Sequence, residues 1–220
     1  MSRMGEGVQA VIWDFGGVFT SSPFEAFNRY EAERGLPHDL VRRINTINPD
    51  TNAWARLERS ELSAERFDSV FAEEARALGY TVPGRDILAI LSGNLRPRVI
   101  AAFQLCKAQG WKVGCITNNA PTGKGAGMAS TSEKAQQVAE VFAQFDHVIE
   151  SSKAGVRKPD PRIYEMMCEA LGVKPDACIY LDDLGINLKP AKTMGMTTIK
   201  VTSEQQLLDD LAAATGLRFA

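Results

Sequence analysis

The sequence predicts an α/β protein: a three-layer, doubly wound parallel sheet with an all-helical segment inserted after the first strand. Three observations carry this. Five short runs are apolar almost without a break: Val8–Trp13, Val113–Ile116, His147–Ile149, Cys178–Leu181 and Thr197–Val201. Such runs suit strands covered by helices on both faces. Helical patterns with clear starts and stops lie between them, the alternation of a doubly wound fold. From about residue 20 to residue 96, strand signal nearly vanishes and helical patterns take its place.

The first strand opens VIWDFGGVF and delivers Asp14 to Gly16-Gly17. The helical segment follows, with stretches at Phe24–Arg34, at Leu40–Ile47 and around Trp54 and Leu57. Its longest helix starts at an N-cap Ser63 and runs through Phe67, Val70, Phe71 and Leu78 to Gly79. An insertion here would lie over the carboxyl ends of the strands, where open α/β sheets bind ligands. Thr117-Asn118-Asn119 follows the second strand and Lys158-Pro159-Asp160 lies shortly beyond the third. Asp160-Pro161 places an N-cap before a proline at the first helical position, and that helix runs through Ile163, Met166, Met167 and Ala170 to Gly172. Asp182-Asp183 ends the fourth strand, and Ser203 with Gln206 has capping-box spacing before the last helix.

At 220 residues and 45% hydrophobic, the chain can bury a sizeable core in one domain, or one domain with an insertion. A net charge of -2 argues against a nucleic-acid partner held by bulk electrostatics. No apolar run approaches the roughly 18 residues that span a membrane. The opening MSRMGEG lacks the apolar region of a signal peptide and reads as a short disordered lead. Cys106, Cys115, Cys168 and Cys178 show no CxxC spacing and read as reduced core thiols. The expected location is cytoplasmic, as a monomer or homodimer.

Strand ends of a parallel sheet gather on one edge, so four polar clusters should converge there. They supply a carboxylate nucleophile (Asp14), a hydroxyl donor (Thr117), a cation (Lys158) and an acidic metal site (Asp182-Asp183). That set suits phosphoryl transfer, in which an aspartate attacks phosphorus to form an acyl-phosphate. Lys158 and Mg²⁺ would neutralise charge while Thr117 and backbone N–H groups hold the phosphate oxygens. Gly16-Gly17 makes a tight turn, and a turn at Gly17 can aim N–H groups at an anion. Asn118 and Asn119 are candidates to face the phosphate, against an ordinary reading as turn residues. Lys153 and Arg157 are rivals to Lys158.

The ordered set resembles the haloacid dehalogenase superfamily of hydrolases, with its four motifs at Asp14, Thr117, Lys158 and Asp182-Asp183. The strings FDHVIESSKAGVRKPDPRIYEMMCEALGV and IYLDDLGINLKPAKTMGMTTIKV look like the phosphatase-like domain of soluble epoxide hydrolase and its bacterial relatives. The resemblance implies a Rossmann-like core of residues 1–19 and 97–220, strand order 5-4-1-2-3, and a helical cap at 20–96. It also implies a Mg²⁺-dependent phosphatase acting on a small phosphorylated metabolite, with the KPDP string favouring Lys158 over its rivals.

One position departs from the family. Its phosphatases usually carry a second Asp two residues after the nucleophile, which protonates the leaving group and then activates water. Here Gly16 stands there. Glycine keeps the carbonyl, so the implied metal site is Asp14, Gly16 and Asp183, with Asp182 close by. General acid–base catalysis, worth about 10²–10⁴-fold, is lost. Three readings stay open: a phosphatase for good leaving groups or with another base; a slow or inactive domain that binds a phosphorylated ligand; and dehalogenation, which needs no metal and leaves Asp182-Asp183 unexplained.

Other motifs lead nowhere. Asp14-Phe15-Gly16 spells the kinase DFG without the preceding catalytic loop. Gly123-Lys124 lacks the upstream glycine and following Ser/Thr of a P-loop. His147 reads as structural, and His38 lies in the cap. Substrate specificity is expected from the loop Pro121–Ser132 and from Trp54, Arg56 and Arg59, unless Trp54 is cap core and the arginines are solvated.

Overall fold

The computed structural model describes residues 7–120, 128–129 and 131–219. The expected lead at residues 1–6 and most of the loop Pro121–Ser132, including the Gly-rich stretch 123–127, lie outside them.

Five parallel strands form one sheet in the order β3-β2-β1-β4-β5. They are β1 (Ala10–Trp13), β2 (Lys112–Thr117), β3 (His147–Glu150), β4 (Cys178–Asp182) and β5 (Thr197–Lys200). This is the expected order, with Asp14 leaving the central strand. The edge strands β3 and β5 fully bury only Ile149 and Ile199, but the inner strands β1, β2 and β4 are buried along almost their whole length because the two faces of the sheet feed two different cores. Val11, Trp13, Val113, Cys115, Ile179 and Leu181 point to one side. Ala10, Ile12, Ile116, Cys178 and Tyr180 point to the other. The period of two is present, but both phases of it are buried.

After β1 come α1 (Pro23–Glu33), α2 (Leu40–Thr46), α3 (Ala53–Glu58), α4 (Ala64–Ala77) and α5 (Gly84–Ala89). Then α6 (Pro97–Ala108) precedes β2, α7 (Ser132–Phe142) precedes β3, and α8 (Ser151–Ala154) and α9 (Pro161–Leu171) precede β4. Finally α10 (Gly185–Thr193) and α11 (Glu204–Thr215) flank β5. Residues of α6, α7 and α11 cover the first face of the sheet, and those of α9 and α10 the second. The caps explain the boundaries. Ser63 accepts from Arg66 N, Asp160 accepts from Arg162 N with Pro161 at the first helical position, and α9 stops at Gly172 with φ 68°. Gln206 departs from a strict capping box: its side chain takes the N–H of Thr202 rather than that of Ser203.

The helices α1–α5 bury a hydrophobic cluster of their own around Phe27, Leu57, Phe67 and Phe71, and Ala120 from beyond β2 joins it. The chain enters and leaves this helical segment along one paired path. Arg96 N donates to Phe19 O at 2.8 Å, Ser21 N donates to Asn94 O at 2.9 Å, and Thr20 bridges Leu95. The segment rests on the carboxyl edge of the sheet, where Ser151 at the end of β3 donates to the Glu58 carbonyl. No helix among the described residues is long and apolar enough to cross a membrane. All four cysteines are buried free thiols.

Candidate active site

β1, β2 and β4 run side by side, so the residues at their carboxyl ends are neighbours. Asp14 follows β1, Thr117 is the last residue of β2, and Asp182 is the last residue of β4. Lys158 comes from the loop between α8 and α9 and reaches into this group with only 1% of its surface exposed. Its Nζ lies 2.8 Å from Asp14 Oδ1 and 2.8 Å from Asp182 Oδ2. Lys153 instead pairs at the surface with Glu150, and Arg157 pairs with Glu58.

Each carboxylate is held differently. Asp14 Oδ1 takes both the Lys158 ammonium and the N–H of Phe15, at 2.6 Å, which leaves Oδ2 without a bond among the described residues. Asp182 is fully buried and saturated. It accepts from Tyr180 Oη at 2.5 Å, Leu184 N at 2.8 Å, Asn187 Nδ2 at 3.0 and 3.1 Å, and Lys158. Asp183 lies beside them, and ligand atoms of Asp14, Asp182 and Asp183 all fall within 4.8 Å of one another.

Electrostatics follow from this packing. Burial pulls the Lys158 pKa down, but the two carboxylates against it more than reverse that and hold it above the ordinary lysine range. Burial raises Asp14 well above a normal carboxylate, opposed by Lys158. Burial, then the charge of Asp182, lifts Asp183 to about 7. Three carboxylates crowd around one ammonium, and the raised pKa of Asp14 and Asp183 reflects that shortage of positive charge, which a divalent cation would supply. An all-oxygen donor set suits a hard ion such as Mg²⁺. Asp182 already accepts from Lys158, Tyr180, Leu184 and Asn187, which leaves Asp14 and Asp183 as the carboxylates that could ligate such an ion.

The two glycines differ. A Cβ at Gly17 would stand 2.2 Å from Asp183 Oδ2, and its φ of 75° is left-handed, so this position excludes a side chain twice over. A Cβ at Gly16 would meet nothing within 4 Å. The main-chain bonds of this turn go to the Phe15 carbonyl, from Val18 and Phe19.

Other residues singled out from the sequence make no hydrogen bond to the three carboxylates. Thr117 is 5% exposed, and its hydroxyl makes no hydrogen bond among the described residues. The Asn118 amide clamps the Lys158 main chain, accepting from its N–H at 2.8 Å and donating to its carbonyl at 3.0 Å. Asn119 turns away to Glu150 and Ser152. Trp54 is helical core, edge-on to Phe27 and Phe67, with its indole N–H on Glu58. Arg59 binds Glu61 and the Asp50 carbonyl, and Arg56 is half-buried on α3. His147 is exposed in β3, and His38 lies against Asp39.

The sequence reading missed several supports. Tyr180 was visible in principle, because it shares the face of Asp182 two residues on. Asn187, which reaches back from α10, and Arg96, which donates to the Gly17 carbonyl at 3.0 Å, carried no local signal.

The comparisons agree with this geometry. A family model described as haloacid dehalogenase-like hydrolase matches residues 8–195. Bifunctional epoxide hydrolase 2 of Rattus norvegicus is 38% identical over 228 residues, covering 96% of this chain and 40% of that protein. A phosphatase of Mycobacterium tuberculosis is 26% identical over 209 residues, covering 92% of this chain and 91% of its own. The chain spans between 20% and 40% of the length of the mammalian relatives it matches. Among solved structures, a HAD family enzyme of Bacteroides thetaiotaomicron in complex with magnesium and inorganic phosphate superposes with a TM-score of 0.59. It is 16% identical, covering 90% of this chain and 96% of its own, so the likeness is one of fold. With four motifs in order on a shared fold and a family match over most of its length, this chain belongs to the haloacid dehalogenase-like hydrolases.

Proposed function

We propose that this hydrolase is a Mg²⁺-dependent phosphatase that cleaves a small phosphate monoester through an aspartyl-phosphate on Asp14. The observation that carries the reading is Lys158, buried with its ammonium 2.8 Å from both Asp14 and Asp182 beside a third carboxylate, Asp183. A buried cation beside a nucleophilic carboxylate and an acidic cluster is the equipment for charge developing on a transferring phosphoryl group. The named phosphatase among the relatives and the magnesium-and-phosphate complex of the structural neighbour point the same way.

Asp14 Oδ2 attacks phosphorus, the bond to the leaving oxygen breaks, and that oxygen takes up a proton. Water then attacks the phosphorus of the acyl-phosphate, which returns the carboxylate and releases inorganic phosphate. Lys158 and Phe15 N–H hold Oδ1 and so aim Oδ2. The Thr117 hydroxyl and the Gly16 N–H bind phosphate oxygens, while the Gly17 N–H, expected from the sequence to do so, already donates to Thr20 Oγ1 at 3.3 Å. Asp182 fixes Lys158 in place. Asp14 and Asp183, with the Gly16 carbonyl, would hold Mg²⁺, which when bound supplies Lewis-acid neutralisation of the phosphoryl charge. The helical segment 20–96 acts as a cap on a core of 1–19 and 97–220, shielding the reaction from water.

The test is release of inorganic phosphate from a panel of aryl and sugar phosphates, with Mg²⁺ and with chelator, for wild type and Asp14→Asn. Metal-dependent release that disappears in the folded variant supports the reading. Tight phosphate binding with no release from any compound favours the second reading, a phospho-ligand-binding domain, for which Gly16 is the specific argument.

A further inference from the structure

The last residue of α3, Glu58, belongs to the helical segment, but its carboxylate is 99 residues from the partner that holds it. Arg157 Nε donates to Glu58 Oε2 at 2.6 Å, with side-chain exposures of 18% and 7%. Trp54 Nε1 fills Oε1 at 2.8 Å. Three further bonds join the same two surfaces: Ser151 Oγ to the Glu58 carbonyl at 2.8 Å, Ser60 Oγ to the Ser152 carbonyl at 2.8 Å, and Arg157 Nη1 to the Pro49 carbonyl at 3.1 Å. The end of α3 and its flanks are therefore held by α8 and by Arg157 in the loop that joins α8 to α9.

Arg157 directly precedes Lys158. The Lys158 main chain is clamped from one direction by the Asn118 amide, and its neighbour is tied from the other direction to Glu58. A cleft of about 320 Å³ opens along the same seam, between Asp50 and Arg59 on one side and residues 155–157 and 159–160 on the other. The loop that delivers the buried ammonium is thus tied by named polar bonds, and the shortest of them crosses to the helical segment.

We propose that Glu58 and Arg157 are positioning residues for phosphoryl transfer: their ion pair makes the seating of the helical segment and the placement of Lys158 a single event. Neither touches the reacting atoms. Their effect passes through the main chain of residues 157–158 to an ammonium that has to sit against two carboxylates at once. A displacement on the order of 1 Å at such a group costs about 10²-fold in rate. Because the pair is mostly buried, its loss also leaves an unpaired charge at the seam, and the seam then favours opening. Specificity follows from the same link, since a ligand that seats the helical segment completes the catalytic site.

The kinetic arm rests on the phosphatase reading; the exchange arm does not. Hydrogen exchange is followed on the full-length protein for wild type, Glu58→Gln, Arg157→Ala, Arg157→Lys and, as a control, Asp86→Asn. The control breaks the Arg34 and Tyr30 contacts inside the helical segment, away from the seam. Glu58→Gln and Arg157→Ala are expected to speed exchange over residues 155–160 while leaving the sheet protected, and Asp86→Asn is not. With p-nitrophenyl phosphate and Mg²⁺, the two seam variants are expected to lose about 10- to 100-fold in kcat with KM unchanged. Arg157→Lys, which keeps a cation on Glu58, recovers part of that loss. Unchanged exchange at 155–160 overturns the proposal. So does a kcat equal to wild type, or a loss that Asp86→Asn reproduces. If wild type releases no phosphate from any substrate, the phosphatase reading fails and the exchange result alone decides the coupling.

Discussion

Gly16 and Gly17 are adjacent, yet their substitutions should have opposite effects. At Gly16 a Cβ meets no atom within 4 Å and the backbone is not left-handed, so the Cβ of Gly16→Asp is accommodated. On the proposed mechanism, a carboxyl there would protonate the oxygen that leaves as Asp14 attacks phosphorus. A positioned general acid contributes about 10²–10⁴-fold, or roughly 3–5 kcal/mol of barrier. The gain should depend on the leaving group, because a phenolate departs without a proton and an alkoxide does not. The assay is phosphate release from matched aryl and alkyl phosphates with Mg²⁺. Wild type should favour the aryl series steeply, and Gly16→Asp should flatten that preference by accelerating the alkyl series. Gly17→Ala is the counterpart. Left-handed φ costs a non-glycine residue about 1–2 kcal/mol. The added Cβ, 2.2 Å from Asp183 Oδ2, displaces a proposed metal ligand. It should lower both stability and Mg²⁺ affinity. Equal turnover of alkyl and aryl phosphates by wild type, unchanged by a folded Gly16→Asp, would refute the reasoning, because a group other than residue 16 would then supply the proton.

Removing the ammonium in Lys158→Met leaves Asp14 and Asp182 facing each other without a counter-ion, at a cost of about 3–5 kcal/mol. Urea denaturation should show that loss, Mg²⁺ should restore part of it, and turnover should vanish. Asp14→Asn removes one of the crowded carboxylates, so it should abolish turnover while the thermal midpoint stays at or above that of wild type. The cation should also act in a pH-dependent way. Asp183 titrates near 7 in the folded protein without metal and near 3.8 as a model carboxylate. Its folded-state pKa is raised, so its contribution to stability is full below about pH 4 and is lost as pH rises through 7. Mg²⁺ binding to the ionised form should therefore raise the melting temperature more at pH 8 than at pH 5. Equal shifts at the two pH values would remove Asp183 from the ligand set.

Much of the fold was readable along the chain because local chemistry dictates it. Asp160 before Pro161, Gly172 at a left-handed cap and Ser63 ahead of an amphipathic run each act within one turn of helix. The short helices α5 and α8 were missed. Four to six residues carry too little periodicity to stand out, and tertiary contacts hold them. Thr117 and Asp182 proved to be the last residues of their strands rather than the first beyond them. Asn118 and Asn119 show where pattern reading stops. Their position after β2 is equally consistent with a phosphate ligand and with a loop clamp, and their hydrogen bonds to Lys158, Glu150 and Ser152 depend on segments more than 30 residues away.

The sequence alone determined the strands, their buried character and the four polar clusters at their ends, because apolar runs and strand-end residues follow from local pattern. Only the tertiary structure decided which carboxylate is saturated, which glycine has room for a Cβ, and that Glu58 ties the helical segment to the Lys158 loop. Those outcomes depend on distances between residues far apart in the chain. The KPDP string singled out Lys158 by resemblance, and the distances supply the physical reason: Lys158 reaches Asp14, whereas Lys153 pairs with Glu150 and Arg157 with Glu58.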